Sequence, residues 1–347
     1  MNKIAIILLF AFAFFISGNP QTAASQNEPG KTAQDSPALQ EAHKLSAQAI
    51  KFYNAGKFDD AVPLAKRALE LRKQALGDKD KLVADAYNNL GAIYKGKNAY
   101  RDAETAFKKA LEIYEATLGK DSPQLLFTIN HLAWMVYANG DSIGAEGLFK
   151  RSLTISEKAI GKESAVIQSL YNLAEFHQRT GRYESAVSYY KRAIEVLEKI
   201  AGPENKEIAD VAEKCGCVLN ISKKGAEAIA FYARARMIRG KGNASGSATA
   251  EGAKIGSNLG NLIAGKATYR EEPIYPAAAK QARLSGSVII EVTINEDGKV
   301  IQSRVLCGHD IFAWAAEEAA RKWRFAPTLL SGNPVKVIGT ITFNFNI

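Results

Sequence analysis

Through the middle of the chain, apolar residues recur at helical spacing in stretches long enough for a helix, separated by short breaks at Asn or Gly. A second set of glycines closes each pair of stretches: Gly77, Gly119, Gly161 and Gly202 stand 42, 42 and 41 residues apart. A fixed period of that size predicts stacked supersecondary units, here two helices each. Laid over one another, the units agree where helices must approach closely. The first helix offers the large and small pairs Leu90-Gly91, Leu132-Ala133 and Leu173-Ala174. The turn falls on Gly56, Asn98, Gly140 and Gly181, residues that tolerate a left-handed backbone. The second helix carries Ala61, Ala103, Ala145 and Ala186, and four residues on, Ala65, Phe107, Phe149 and Tyr190. A fifth, weaker unit keeps the register with Ala228, Tyr232 and Ala235, which puts Cys215-Gly216 at its large and small pair.

The helical rhythm stops over 239–268, where seven glycines fall among Ala, Ser and Asn, the composition of a flexible linker. Ile255 to Ile263 reads as a short helix within it. Beyond it the period changes to two. Ser287 to Ile294 alternates as a strand, Asn295-Glu296-Asp297-Gly298 is a hairpin turn, and Val300 to Leu306 returns as a second strand. Ile311 to Arg324 has helical periodicity, and Asn333-Pro334 opens a last strand carrying Ile341, Phe343 and Phe345. The expected architecture is therefore an α-helical solenoid followed by a small α+β domain of order β-β-α-β, its helix on one face of the sheet.

The Leu-Gly, Tyr, Ala, Phe and Ala positions of the 42-residue units resemble the tetratricopeptide repeat, in the long-helix variant of kinesin light chains, over residues 38–238. The resemblance implies that each first helix lines a concave face. That face then carries Asn88 and Lys95 in the second unit, Asn130, Trp134 and Tyr137 in the third, and Tyr171, Glu175, Gln178 and Arg179 in the fourth. Amides pair with both polar groups of an extended peptide, and the aromatics give contact area at low entropic cost, so a peptide or protein segment is the expected ligand. The alternative is that Asn88 and Asn130 only bridge neighbouring helices and that Trp134 covers a thin core. A further reading makes the array a spacer or self-association surface.

Five separated motifs in the last domain are similar to the C-terminal domain of the TonB energy-transducer family. They are Tyr275-Pro276 with Ala278 or Ala279, Gly286-x-Val288, Asp297-Gly298-x-Val300, Trp323-Arg324-Phe325-x-Pro327 and Gly332-x-Pro334-Val335. The resemblance covers residues 269–347 and implies periplasmic partner binding, in which an extended peptide adds to a free sheet edge. The edge expected here runs from Val335 to Asn346, with Val335, Val337, Thr342, Asn344 and Asn346 as the partner-facing set. Phe343 and Phe345 would share the opposite, inward face. An outer-membrane transporter is the partner class the family suggests. This chain lacks the family's full membrane span with its histidine and its Pro-rich spacer, which weakens any expectation of energy coupling.

Lys3 and the apolar run Ile4 to Ile16, followed by small and polar residues, read as a secretory signal over residues 1–25, with 26–37 disordered. Thirteen residues rise only about 20 Å as a helix, short of a roughly 30 Å hydrocarbon core. Cleavage gives a periplasmic protein. Retention gives a transducer anchored in the inner membrane and facing the periplasm, with membrane contact through the N-terminus.

The net charge of +9 is spread along the chain without a basic arm, so no nucleic acid is expected. Three cysteines, Cys215, Cys217 and Cys307, make no disulfide framework, and Cys215-x-Cys217 is a strained pair. Cys215 replaces a core leucine, and Cys217 lies on the groove side as a candidate free thiol. His177 occupies the Tyr position of its unit and reads as a satisfied packing residue. His43, His131, His177 and His309 fall in no metal or triad spacing, so neither a cofactor nor catalysis is expected. The chain reads as a binding adaptor rather than an enzyme.

Overall fold

The computed structural model describes residues 36–159, 161, 163–242, 266–330 and 332–346. The expected signal, the N-terminal disordered stretch and the helix at 255–263 lie outside the described residues. Among the described residues, ten α-helices form the array: α1 (Pro37–Asn54), α2 (Phe58–Leu76), α3 (Lys81–Gly96), α4 (Tyr100–Leu118), α5 (Leu126–Ala138), α6 (Ser142–Lys158), α7 (Glu163–Arg179), α8 (Tyr183–Ala201), α9 (Lys206–Ile221) and α10 (Gly225–Gly242). Side chains start several of them. Ser36 accepts from the Leu39 amide at 3.3 Å, Asp80 from Leu82 at 2.7 Å, Asp141 from Gly144 at 2.8 Å and Asn205 from Glu207 at 2.7 Å.

Each helix packs on the next, so the units stack as the period requires. The turn positions are left-handed, with φ of 70° at Gly56, 61° at Asn98, 98° at Gly140 and 74° at Gly181. The fifth unit places Lys223 at the same point with φ 63°. The small residue of the first helix meets the aromatic of the second. A Cβ added to Gly91 would lie 3.0 Å from the Phe107 ring, and one added to Gly216 2.7 Å from Tyr232. Ala103, Phe107, Ala145, Phe149, Ala186, Tyr190, Ala228 and Tyr232 are buried in one continuous core.

The C-terminal domain is built on an antiparallel sheet of order β3-β2-β7, from β2 (Gly286–Ile294), β3 (Val300–Cys307) and β7 (Val337–Phe345). It also holds β1 (Ala267–Tyr269) paired with β4 (Arg324–Phe325), a short helix α11 (Ala277–Gln281), and helix α12 (Asp310–Lys322). Val288, Ile290, Val292 and Ile294 of β2 join Ile341, Phe343 and Phe345 of β7 beneath Phe312, Ala315, Ala316 and Ala319 of α12. Helix α12 stops two residues before the expected Arg324, because Trp323 turns extended and Arg324 enters β4. The Trp323 indole donates to the Glu271 carbonyl at 2.9 Å, and its ring lies 5.6 Å from Phe343.

The last strand also begins later than expected. Asn333-Pro334 forms β6, which pairs with β5 (Leu329–Leu330), and the Val335 amide donates to Thr328 at 2.9 Å. Val335 therefore closes a small hairpin and is not part of the edge strand. Helix α10 and strand β1 extend into the stretch 239–268 expected as linker, and 243–265 lies outside the described residues.

The second face of the sheet meets the array. Ile289 points away from α12 yet is only 2% exposed, and Leu306 and Cys307 pack against the array core. Glu291 accepts from Arg236 of α10 at 2.6 Å, while Arg304 of β3 reaches Glu213 of α9 at 2.8 Å. Glu213 also pairs with Arg239, which holds Asp210 at 2.7 Å. By the repeat register Asp210, Glu213 and Arg239 are the counterparts of Asp85, Asn88 and Tyr114, whose network reaches Thr128 on the next unit's first helix. In the fifth unit Arg304 takes the place of that threonine. The sheet thus caps the solenoid where a sixth first helix would stack, covering a face that would otherwise be exposed.

Candidate functional site

The odd-numbered helices bring a strip of aromatic and charged side chains to one side of the array. Trp134 of α5 is half-buried, 5.0 Å from the Phe149 ring behind it and 6.0 Å from Tyr137 beside it. The exposed Arg179 of α7 lies over Trp134 at 5.3 Å and pairs with Glu175 at 2.6 Å. Trp134, Glu175 and Arg179 are therefore one cluster across two units. Lys95 of α3 is held below the usual lysine range by burial, with Glu175 opposing, which ties a third unit to the same field. Burial raises the Tyr171 hydroxyl, and Lys214 of α9 works against it.

Other expected groove residues are already engaged within the array. Asn88 donates to Thr128 at 2.9 Å and to Tyr114 at 3.3 Å. Asn130 is buried, and its carbonyl oxygen has no partner among the described residues. Gln178 accepts from Tyr190 at 3.3 Å. The accessible strip therefore narrows to Lys95, Trp134, Tyr137, Tyr171, Glu175 and Arg179. His131 and Lys214 were missed by sequence reasoning, since each sits one residue before the core position that set the groove register.

In the C-terminal domain β7 is an end strand, hydrogen-bonded to β2 on one side. Thr342, Asn344 and Asn346 are exposed, while Val337, Phe343 and Phe345 are buried under α12. The inward and outward alternation expected for Phe343 and Phe345 is present. Val337 faces the core, so it offers only its backbone at this edge. The sheet's other end strand, β3, packs against α9. Cys217, expected on the groove side, is 2% exposed beneath β3.

A model of the tetratricopeptide repeat matches residues 49–116, 98–158 and 165–239, more than half of the sequence. The chain belongs to the tetratricopeptide-repeat family. The array is similar to the nearly identical tetratricopeptide-like repeats of a putative kinesin light chain from Podosopora anserina, at TM-score 0.54 and 18% identity, over 60% of this chain and 99% of that one. It is similar also to RapI in its apo form, at TM-score 0.50 and 15% identity, over 59% of this chain and 72% of that one. Both likenesses concern the fold. The model of the Gram-negative bacterial TonB protein C-terminal matches residues 271–347. Within that part, 66 residues are 32% identical to protein TonB of Vibrio cholerae serotype O1, covering 18% of this chain and 27% of that protein. The chain thus joins a tetratricopeptide-repeat array to a domain similar to the C-terminal domain of TonB proteins.

Two histidines of the tetratricopeptide array couple its stability to pH. His177 is 4% exposed and stacks on Tyr189 at 5.2 Å, as a packing residue should, but neither ring nitrogen has a partner among the described residues, so it is not satisfied there. Burial and then Arg182 lower its pKa. His131 stacks on Phe127 at 4.2 Å, and burial with nearby Lys95 pushes it down to about 3. Both folded values lie below the unfolded value near 6.5, so the unfolded chain binds more protons and stability falls with pH from about 6.5 toward about 3. Denaturant titrations at pH 7.5 and 5 should show a loss of about 2 kcal/mol at the lower pH from His131, with His177 adding to it in the same direction. His177→Tyr should remove part of that loss; an unchanged slope would mean that the ring gains a partner in solution.

Proposed function

We propose that the chain is a periplasmic adaptor that binds two protein segments, one across the Trp134 strip of the repeats and one along β7 of the TonB-type domain. The observation that carries this reading is the inequality of the two sheet ends. β3 is packed against α9, whereas β7 keeps a row of backbone donors and acceptors for an added strand. The outward side chains Thr342, Asn344 and Asn346 then meet the partner's alternate residues. In the array, Trp134 and Tyr171 supply the apolar contact, while Lys95, Glu175 and Arg179 supply charges of both signs. An extended segment with an apolar anchor and flanking charges fits that strip. Joining the two sites in one chain raises the effective concentration of one partner near the other. The two fold families support binding as the chain's role, and an outer-membrane transporter is the partner class proposed for β7.

Capture from a solubilised envelope fraction tests this. Replacing Trp134 and Arg179 by Ala should weaken one set of captured proteins by about tenfold or more, the loss of a hot-spot contact. Replacing Thr342 and Asn344 by Lys should deplete a different set, because edge lysines oppose strand addition. Variants that capture both sets at wild-type yield would refute the two-site reading.

A further inference from the structure

Cys217 and Cys307 lie far apart in sequence and meet where the sheet caps the array. Cys217, on α9, has its Sγ 3.5 Å from the Leu306 carbonyl oxygen. Cys307 follows Leu306 at the end of β3, opposite Ile289 in the ladder, and packs against the array core that contains Cys217. The Cys217 thiol raises the pKa of the Cys307 thiol, and the Tyr232 hydroxyl works against it. Both are free in this structure. Cys215 is fully buried two residues away on α9, at the position other units give to a core leucine, and a bridge between it and Cys217 would strain the helix.

We propose that Cys217 and Cys307 are the two halves of a disulfide that fastens the C-terminal sheet to the last repeat when the protein meets a disulfide oxidant. The thiolate of one cysteine attacks a sulfur of the oxidant's disulfide, forming a mixed disulfide and releasing one oxidant thiol. The second cysteine's thiolate then attacks the protein sulfur, the Cys217–Cys307 bond forms, and the other oxidant thiol leaves. The protein loses two protons and two electrons, and the oxidant's disulfide becomes two thiols. The contact with Cys217, and burial, raise the Cys307 thiol, so the reaction proceeds through brief opening of the junction and speeds up with rising pH. The bond would hold Arg304 on Glu213 and Arg236 on Glu291 without touching β7 or the Trp134 strip, so it depends on neither partner assignment.

Full-length protein incubated with oxidised glutathione, then denatured and alkylated without reductant, tests the bridge. The expected product is about 2 Da lighter than the reduced chain before alkylation, a loss of two hydrogens. It takes label at Cys215 alone, and its peptide map joins the Cys217 peptide to the Cys307 peptide. Cys215→Ser should keep the bridge, while Cys217→Ser and Cys307→Ser should each leave both remaining thiols labelled. Label on all three cysteines of the wild-type chain, glutathione retained on any of them in place of the bridge, a Cys215–Cys217 pair, or bridges only between two chains would overturn the proposal.

Discussion

Gly298→Val leaves the repeat array folded and the C-terminal domain unfolded. Gly298 closes the β2–β3 hairpin with φ 81°, where a β-branched residue is strained. Strain is the smaller part. A Cβ at this position would sit 1.8 Å from the Phe325 carbonyl oxygen, while the Gly298 carbonyl accepts from the Phe325 amide at 2.8 Å. The turn and β4 are locked backbone to backbone, so neither can yield without losing the strand that follows α12. A cost of about 4 kcal/mol or more is the scale of such a clash, comparable to the whole stability of a small domain. Hydrogen exchange read by mass spectrometry should show segments of 286–307 and 337–345 exchanging freely in the variant, with α1 to α8 protected as in the wild type. Protection of both regions would mean that the hairpin tolerates a different turn.

Phe149→Ala should be the most damaging single truncation in the middle of the array. Its ring is fully buried, 5.0 Å from Trp134 and 5.4 Å from Phe176, so it joins the third and fourth units and backs the binding strip. Emptying that site should cost about 3–5 kcal/mol. In a stack where each unit touches only its neighbours, the loss also uncouples the two halves. Denaturant unfolding should then begin earlier and over a broader range, with a lower apparent m-value than the wild type. A midpoint shift with unchanged cooperativity would show that coupling runs through contacts other than this ring.

What the sequence made legible is what repeats or lies close along the chain. The left-handed turns, the buried Phe107, Phe149, Tyr190 and Tyr232, and the Asp297-Gly298 hairpin are local patterns, and each is where the period put it. The departures have tertiary causes. Asn88 was a groove residue by register, but the next unit presents Thr128 to its amide. Val335 and Asn333-Pro334 looked continuous with β7 until Leu329–Leu330 folded back to pair with β6. The cap was the least legible feature, since Glu213, Arg304, Cys217 and Cys307 belong to no common period and meet only after both domains are built. Lys223 fills the left-handed turn that Gly or Asn holds in the earlier units, so the last repeat was legible through Ala228, Tyr232 and Ala235 and not through its turn.

Site-specific photo-crosslinking in intact cells tests the two-partner account most directly. A photoreactive residue in place of Trp134 should capture one group of envelope proteins, and one in place of Thr342 a different group. The same residue at Ile143, 88% exposed on α6 and outside both surfaces, sets the background. Distinct adducts from the first two positions, each above that background, are the predicted result. Yields at Trp134 and Thr342 no higher than at Ile143 would contradict the account.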